Sequence, residues 1–191
     1  MGFFDWSAPM WRVFGNRWSS KRIRGLANTL HAYVPAGGAV LDLGGGTGAL
    51  SARLAKVMPA TYTIVDRSPA MQRYVQARPE IQAVLGSAEA IPLADSSVDA
   101  VIVSDAFHHF RDQEVAVREI KRVLRPGGGL VMLEFDRRAW PVALVERLVD
   151  RNGHLFAPDE LCAFMSERGV HGTSRRRSWM TFDYVGRASK T

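Results

Sequence analysis

The chain has a single cysteine, Cys162, among its 191 residues. An intrachain disulfide is therefore excluded, and the helical setting Leu161-Cys162-Ala163-Phe164-Met165 makes the thiol a small buried residue. No apolar run approaches the roughly 18 residues of a membrane-spanning helix. The first residues also lack the basic start and apolar stretch of a secretory leader. Gly2 stands outside an acylation context, because position six is Trp6 and not Ser or Thr. These absences make cytoplasmic the expected location. Zinc-ligand spacings, RNA-binding aromatic motifs and helix-turn-helix signatures are missing, so neither a metal nor a nucleic-acid partner is expected. Repeats and low-complexity segments are missing too. Acids are outnumbered: 19 Asp and Glu stand against 25 Lys and Arg, a net charge of +6. The surplus gathers at the ends, with Arg12, Arg17, Lys21, Arg22 and Arg24 early and Arg175, Arg176 and Arg177 late. A solvated basic face is the ordinary reading, and nucleic acid or an anionic membrane surface the sharper one.

What the chain does have is a short apolar run that meets an acid and then a cluster of glycines, Ala39-Val40-Leu41-Asp42-Leu43-Gly44-Gly45-Gly46-Thr47-Gly48-Ala49-Leu50. Val40, Leu41 and Leu43 predict a buried strand of a parallel sheet. The glycines let the backbone turn sharply and lie against a ligand with no Cβ atoms in the way. Leu50, Leu54 and Val57 recur at helical spacing, so a helix is expected at once, its positive end and the loop's free N–H groups aimed at the ligand. Two ligands compete for this loop. Gly44, Gly46 and Ala49 satisfy the dinucleotide fingerprint G-x-G-x-x-G/A, with Asp66 at roughly the 20-residue remove of a ribose-binding acid. Asp42, however, puts a carboxylate at the strand end, where it would repel a pyrophosphate and suit an ammonium or sulfonium charge. S-adenosylmethionine carries both of those charges.

The stretch Asp42-x-Gly44-x-Gly46-x-Gly48 resembles motif I of the class I S-adenosylmethionine-dependent methyltransferases, and the resemblance runs through most of the chain. It implies a cofactor loop of Asp42, Gly44, Gly45, Gly46 and Gly48. Tyr62-Thr63-Ile64-Val65 predicts a second strand ending in Asp66, whose carboxylate would accept from both ribose hydroxyls. Arg67, next in line, occupies the position that packs on the adenine in that family, and Ser68-Pro69 starts the next helix as N-cap and first-turn residue. After a third strand over Ile81–Gly86, the run Gly86-Ser87-Ala88-Glu89-Ala90-Ile91-Pro92-Leu93-Ala94-Asp95-Ser96-Ser97-Val98-Asp99-Ala100-Val101 resembles the family's Gly-Asp-Ala-Glu-x-Leu-Pro-Phe-x-Asp-x-Ser-Phe-Asp-x-Val. The resemblance implies adenine contacts from Ser87 and from the Ala88 backbone. Ser87 replaces an acid there, so weaker cofactor affinity is expected.

The fourth strand, Asp99–Ser104, leads into Asp105-Ala106-Phe107-His108-His109-Phe110, which borders the site because ligands bind beyond the carboxyl ends of such strands. Ser104 and Asp105 would lie near the methionine end of the cofactor. His108 and His109 read either as scaffold or, with Asp105, as candidate proton acceptors; His31, His154 and His171 are too scattered to complete a metal site. Arg118–Gly128 resembles the helix and turn that precede the fifth strand, Leu130–Asp136, and is structural; Glu134 and Asp136 would face substrate or solvent at its mouth. Helices are expected over about Ser20–Tyr33, from Asp112 through Leu124, from Trp140 to about Asp150, and from Ala157 to Arg168. Residues 170–187 would form the closing antiparallel strands of a methyltransferase.

At the N-terminus, Phe4-Asp5-Trp6-Ser7-Ala8-Pro9 resembles the corresponding stretch of quinone-biosynthesis methyltransferases. The aromatic residues around it read as core packing, as a lid over an apolar substrate, or as a membrane-interface contact. The expectation is therefore one α/β domain over residues 1–191, with 1–34 as a helical extension on the substrate side. Its fold would be Rossmann-like and doubly wound, a seven-stranded mostly parallel sheet with an antiparallel C-terminal strand and helices on both faces. Its activity would be methyl transfer from S-adenosylmethionine, leaving S-adenosylhomocysteine, to a small apolar or aromatic acceptor of quinol, phenol or lipid type. The alternatives are a non-catalytic protein that binds the same cofactor and a nicotinamide-dependent oxidoreductase.

Overall fold

In the computed structural model, residues 18–75, 80–149 and 153–189 are described. Apart from Trp18, the N-terminal aromatic stretch, with its lid and membrane readings, lies outside the described residues. The strands are β1 (Ala39–Leu43), β2 (Thr61–Asp66), β3 (Ile81–Leu85), β4 (Val98–Ser104), β5 (Leu124–Phe135), β6 (Val170–Arg176) and β7 (Thr181–Ala188). They form one sheet in the order β3-β2-β1-β4-β5-β7-β6. The pairs from β3 through β5 are parallel, and β7 runs antiparallel to both β5 and β6. This is the expected topology, including the reversed C-terminal strand.

Residues alternate between the two faces of the sheet with the period of a strand. Leu41, Leu43, Val101, Val103, Leu130 and Met132 face one way. There they meet Val117, Ile120 and Val123 of helix α4 (Gln113–Val123) and Leu161 and Met165 of helix α6 (Pro158–Glu167). Val40, Ala100, Ile102, Val131 and Leu133 face the other way, against Ile23, Leu26 and Leu30 of helix α1 (Ser20–Leu30) and Leu50 and Leu54 of helix α2 (Ala49–Leu54). Helix α3 (Pro69–Gln72) is a single turn, and α5 (Trp140–Val149) follows β5. The caps follow from sequence: Ser19, Ser68 and Asp112 each accept a hydrogen bond from a first-turn backbone N–H.

Three expectations need correcting. Helix α2 stops at Leu54, and Val57 is 44% exposed, because Met58 N–H bonds back to the Leu54 carbonyl and Met58, not Val57, turns into the core. The fifth strand begins at Leu124, before the Pro-Gly-Gly segment read as its preceding turn. Val98 pairs with Leu124 and Ala100 with Gly129, so Arg125–Gly128 bulge out between two paired stretches, with Gly127 at φ 82°. Cys162 is half-buried rather than buried, its Sγ 3.0 Å from Ser174 Oγ.

The amino ends of the central strands are tied by one carboxylate: Asp99 accepts from Ala39 N–H at 2.8 Å and from Arg125 Nη1 at 2.7 Å. A second tie holds the Gly86–Val101 run, since Arg122 on α4 donates to the Ile91 and Leu93 carbonyls and to Asp95 and Glu119, while Ile91 N–H donates to Glu119. The loops at the carboxyl ends thus stand on a braced frame.

Candidate active site

Four loops converge at the carboxyl end of the sheet, those after β1, β2, β3 and β4, and line one cleft. The glycine loop after β1 is shaped by crowding. Gly44, at φ 71°, lies so close to the next loop that a Cβ would sit 2.7 Å from Ala106 Cβ, with the Phe110 ring beyond; Gly48, at φ 69°, leaves no room beside Ile64. Only glycine takes these conformations without strain.

The loop's N–H groups are less available than its sequence suggests. Gly44 N–H donates to the Val65 carbonyl, Gly46 N–H to Asp66 Oδ2 at 2.8 Å, and Gly48 N–H to the Gly45 carbonyl. Helix α2 has only six residues, so its dipole contributes little at the site. The loop therefore offers shape more than positive potential.

Asp42 lies beneath this loop, not at its surface. It is 1% exposed, its Oδ2 accepts from Ser51 Oγ at 2.6 Å, and a Cβ on Gly45 would touch its carboxyl carbon. Among the described residues Oδ1 has no hydrogen-bond partner. Burial pushes the Asp42 pKa up to about 6, opposed by the Ser51 hydroxyl and assisted by the nearby Asp66 charge. Asp66, at the end of β2, accepts from Gly46 N–H through Oδ2 and from Ser68 N–H through Oδ1, each at 2.8 Å.

Arg67 is exposed at the lip of the cleft, and Ser87 and buried Ala88 line it beyond β3. Ser104 and Asp105 line it beyond β4, Ser104 Oγ donating to Asp105 Oδ2 at 3.3 Å. Asp105 has a φ of 49°, a left-handed conformation that few residues other than glycine adopt and that Asp tolerates better than most.

The adjacent histidines separate. They sit on a 3-10 turn, Phe107–His109, where neighbouring side chains project in different directions. His109 lines the cleft, whereas His108 is 2% exposed and turns inward to Glu134. Glu134 is buried and is a hub: Oε1 accepts from Phe107 N–H at 2.9 Å and Ala106 N–H at 3.3 Å, and Oε2 lies 2.6 Å from His108 Nδ1. Asp136 is buried as well, accepting from Arg138 N–H and Arg176 Nη2. Neither acid is the substrate-facing or solvated group expected at the mouth of β5, because the turn after β4 and β6 with its arginines close over them.

Trp18 of the N-terminal aromatic set and Phe110 of the segment after β4 line the cleft, as do Met71 and Glu89, to which sequence reasoning gave no site role. Glu89 accepts from Arg111 N–H at 2.8 Å and so joins the loop after β3 to that after β4. The charged wall is acidic: Asp42, Asp66, Glu89 and Asp105 stand against one guanidinium, Arg67. A chain of net charge +6 thus presents a negative cleft.

A family described as "Methyltransferase domain" matches residues 41–132. The ubiquinone/menaquinone biosynthesis C-methyltransferase of Rubrivivax gelatinosus is 43% identical over 107 residues, 55% of this chain and 42% of that protein. An uncharacterized methyltransferase of Mycobacterium tuberculosis is 44% identical over 117 residues, 60% of this chain and 47% of that protein. The match thus spans less than half the length of either relative. Among solved structures, a putative methyltransferase from Haloferax volcanii, in complex with the Trm112 methyltransferase activator, superposes with a TM-score of 0.79 over 98% of both chains at 19% identity. Sequence match, strand order and glycine loop agree: residues 41–132 are similar to a methyltransferase domain, and the fold is the one seen in solved S-adenosylmethionine-dependent methyltransferases.

Proposed function

We propose that the chain transfers a methyl group from S-adenosylmethionine to a small apolar or aromatic acceptor. The observation that carries this reading is the charge of the cleft, four carboxylates and one guanidinium. Such a wall opposes a pyrophosphate and attracts a ligand bearing ammonium and sulfonium charge. It disfavours the nicotinamide alternative more strongly than Asp42 alone did.

In this reading Asp66, at the end of β2, holds the ribose hydroxyls, and Gly44, Gly45, Gly46 and Gly48 provide a wall without side chains. Ser87 and the Ala88 backbone take the adenine, with Arg67 over it at the lip. Ser104 and Asp105 hold the amino-acid end, and Asp42 supplies negative potential from below. When bound, the cofactor supplies an electrophilic methyl on sulfur. What remains for the protein is alignment and the exclusion of water, so no single side chain need carry most of the rate. Where the acceptor is a phenol or a carbon acid, a base assists, and His109 and Asp105 are the titratable groups that line the cleft beyond β4. Trp18 and Phe110 give the acceptor side apolar surface, in keeping with the quinone-biosynthesis relative.

The test is calorimetric titration with S-adenosylmethionine, S-adenosylhomocysteine and NADH, followed by labelled methyl transfer to a panel of quinols, phenols, amines and lipids. Binding of the first two and labelling of a quinol or phenol is expected. Binding without labelling of any acceptor makes the chain a cofactor-binding partner instead, and preference for NADH defeats the reading altogether.

A further inference from the structure

Between Asp5 and Asp66 the sequence holds seven basic residues and one acid, Asp42, which is buried. Helices α1 and α2 come from this stretch and pack together on one face of the sheet. Arg53 at the end of α2 donates to the Trp18 carbonyl at the start of α1, which brings Lys56 and exposed Val57 beside that end of α1. Along α1, Lys21, Arg24, Asn28 and His31 recur at helical spacing, opposite buried Ile23, Leu26, Ala27 and Leu30. Lys21, Arg24 and Lys56 are exposed and make no ion pair among the described residues. Arg22 lies over the Trp18 ring, 4.4 Å from its centroid.

Elsewhere many of the arginines are compensated. Arg122, Arg125, Arg137, Arg138, Arg168, Arg176 and Arg177 each pair with a carboxylate. The late arginines, read from sequence as a solvated basic face, are thus neutralised at Arg176 and Arg177 but not at Arg175. Arg67, Arg73, Arg111, Arg118 and Arg187 are likewise exposed without an ion pair among the described residues, but they are scattered along the chain, whereas Lys21, Arg24 and Lys56 gather on α1 and just past α2 in a stretch with no exposed acid.

We propose that this face docks on an anionic phospholipid membrane. Unpaired cations flanking a partly apolar surface are what a negatively charged leaflet attracts. The sequence before α1 adds Phe3, Phe4, Trp6, Trp11 and Phe14 with Arg12 and Arg17, a composition suited to the headgroup layer. Single-stranded nucleic acid needs a groove with rings exposed for stacking, and Trp18 is 4% exposed beneath Arg22. Trp18 also lines the cleft, so docking through α1 sets the bilayer beside the mouth of the site. The choice of lipid over nucleic acid rests in part on the apolar acceptor proposed above.

The experiment is co-sedimentation of the full chain with vesicles of phosphatidylcholine, with and without phosphatidylglycerol, at low and high salt. Each cation near an anionic leaflet strengthens partitioning about fivefold, so the triple variant Lys21→Gln/Arg24→Gln/Lys56→Gln should lose about a hundredfold. The parent should bind only the mixed vesicles and be released by salt. The variant Arg137→Gln/Arg138→Gln, on the paired face, should bind like the parent. Equal binding to both vesicle types, an unaffected triple variant, an equal loss in the Arg137/Arg138 variant, or binding of an RNA oligonucleotide in place of vesicles overturns the proposal. Cofactor titration of the same proteins reads the methyltransferase assignment separately, because Lys21, Arg24 and Lys56 lie outside the cleft.

Discussion

His108 Nδ1 lies 2.6 Å from Oε2 of Glu134, both side chains buried, while the other oxygen of the same carboxylate accepts the Ala106 and Phe107 N–H groups. One residue of β5 thereby fixes the whole turn on which His109 is carried. Replacing Glu134 by Ala strands several buried donors, and a loss of about 3–5 kcal/mol of stability is expected in urea unfolding. Glu134→Gln keeps an acceptor and should fold. Its effect is expected in kcat for the acceptor, with cofactor affinity nearly unchanged; a fall in cofactor affinity at constant kcat would refute the positioning role.

His109→Ala tests the proposal that this ring is the base. With a phenolic acceptor the rate should fall about a hundredfold or more, and less at alkaline pH, where the phenol ionises unaided. His108→Ala should instead lower the melting temperature. If His109→Ala leaves the rate at neutral pH intact, Asp105 is the next residue to replace.

Asp42 makes stability and binding depend on pH in opposite senses. Its folded pKa is raised, so the folded protein holds the proton more tightly than the unfolded chain does. The resulting stability is fully present below about pH 4 and is lost as pH rises through about 6. An Asp42→Asn variant should therefore be more stable than the parent by up to about 3 kcal/mol at neutral pH, with the gap closing toward about pH 4. Affinity for the cationic cofactor should fall below about pH 6 in the parent and stay flat in the variant. Calorimetry across that range checks both.

Gly44→Ala asks for a left-handed alanine whose Cβ sits 2.7 Å from that of Ala106. A loss of about 2–4 kcal/mol is expected, together with weaker cofactor binding because the loop must shift. Gly127→Ala has a positive φ but open space around it, so it should cost only the backbone strain, about 1–2 kcal/mol, and leave binding alone.

Ser87→Asp should tighten cofactor binding roughly tenfold, the worth of one hydrogen bond made to a charged acceptor. Isothermal titration against the parent gives the answer directly, and unchanged affinity removes Ser87 from the adenine contacts.

The sheet was legible because its signals are local. The apolar run before Asp42, the acid at the end of β2 and the caps Ser68 and Asp112 each announce an element within a few residues. The misread boundaries are places where a local pattern continued past the structure it described. Val57 keeps the helical period after α2 has closed, and the Pro-Gly-Gly segment reads as a turn although its ends pair as one strand around a bulge. The site was legible as a set of loops but not as a set of directions. Nothing in His108-His109 says which ring faces the cleft, since that is decided by Glu134, twenty-six positions on. The availability of the glycine-loop amides was equally hidden, being set by Val65 and Asp66 on the neighbouring strand.

The carboxylate that joins Ala39 and Arg125 lies at the amino edge of the sheet, and β1 alone puts about 16 Å between that clamp and the glycine loop. Changes made at the two edges should consequently add without interfering. A chain built this way is a serviceable starting material for engineering: new acceptors can be sought by altering Trp18, His109 and Phe110, while losses incurred there are offset by reinforcing the far edge.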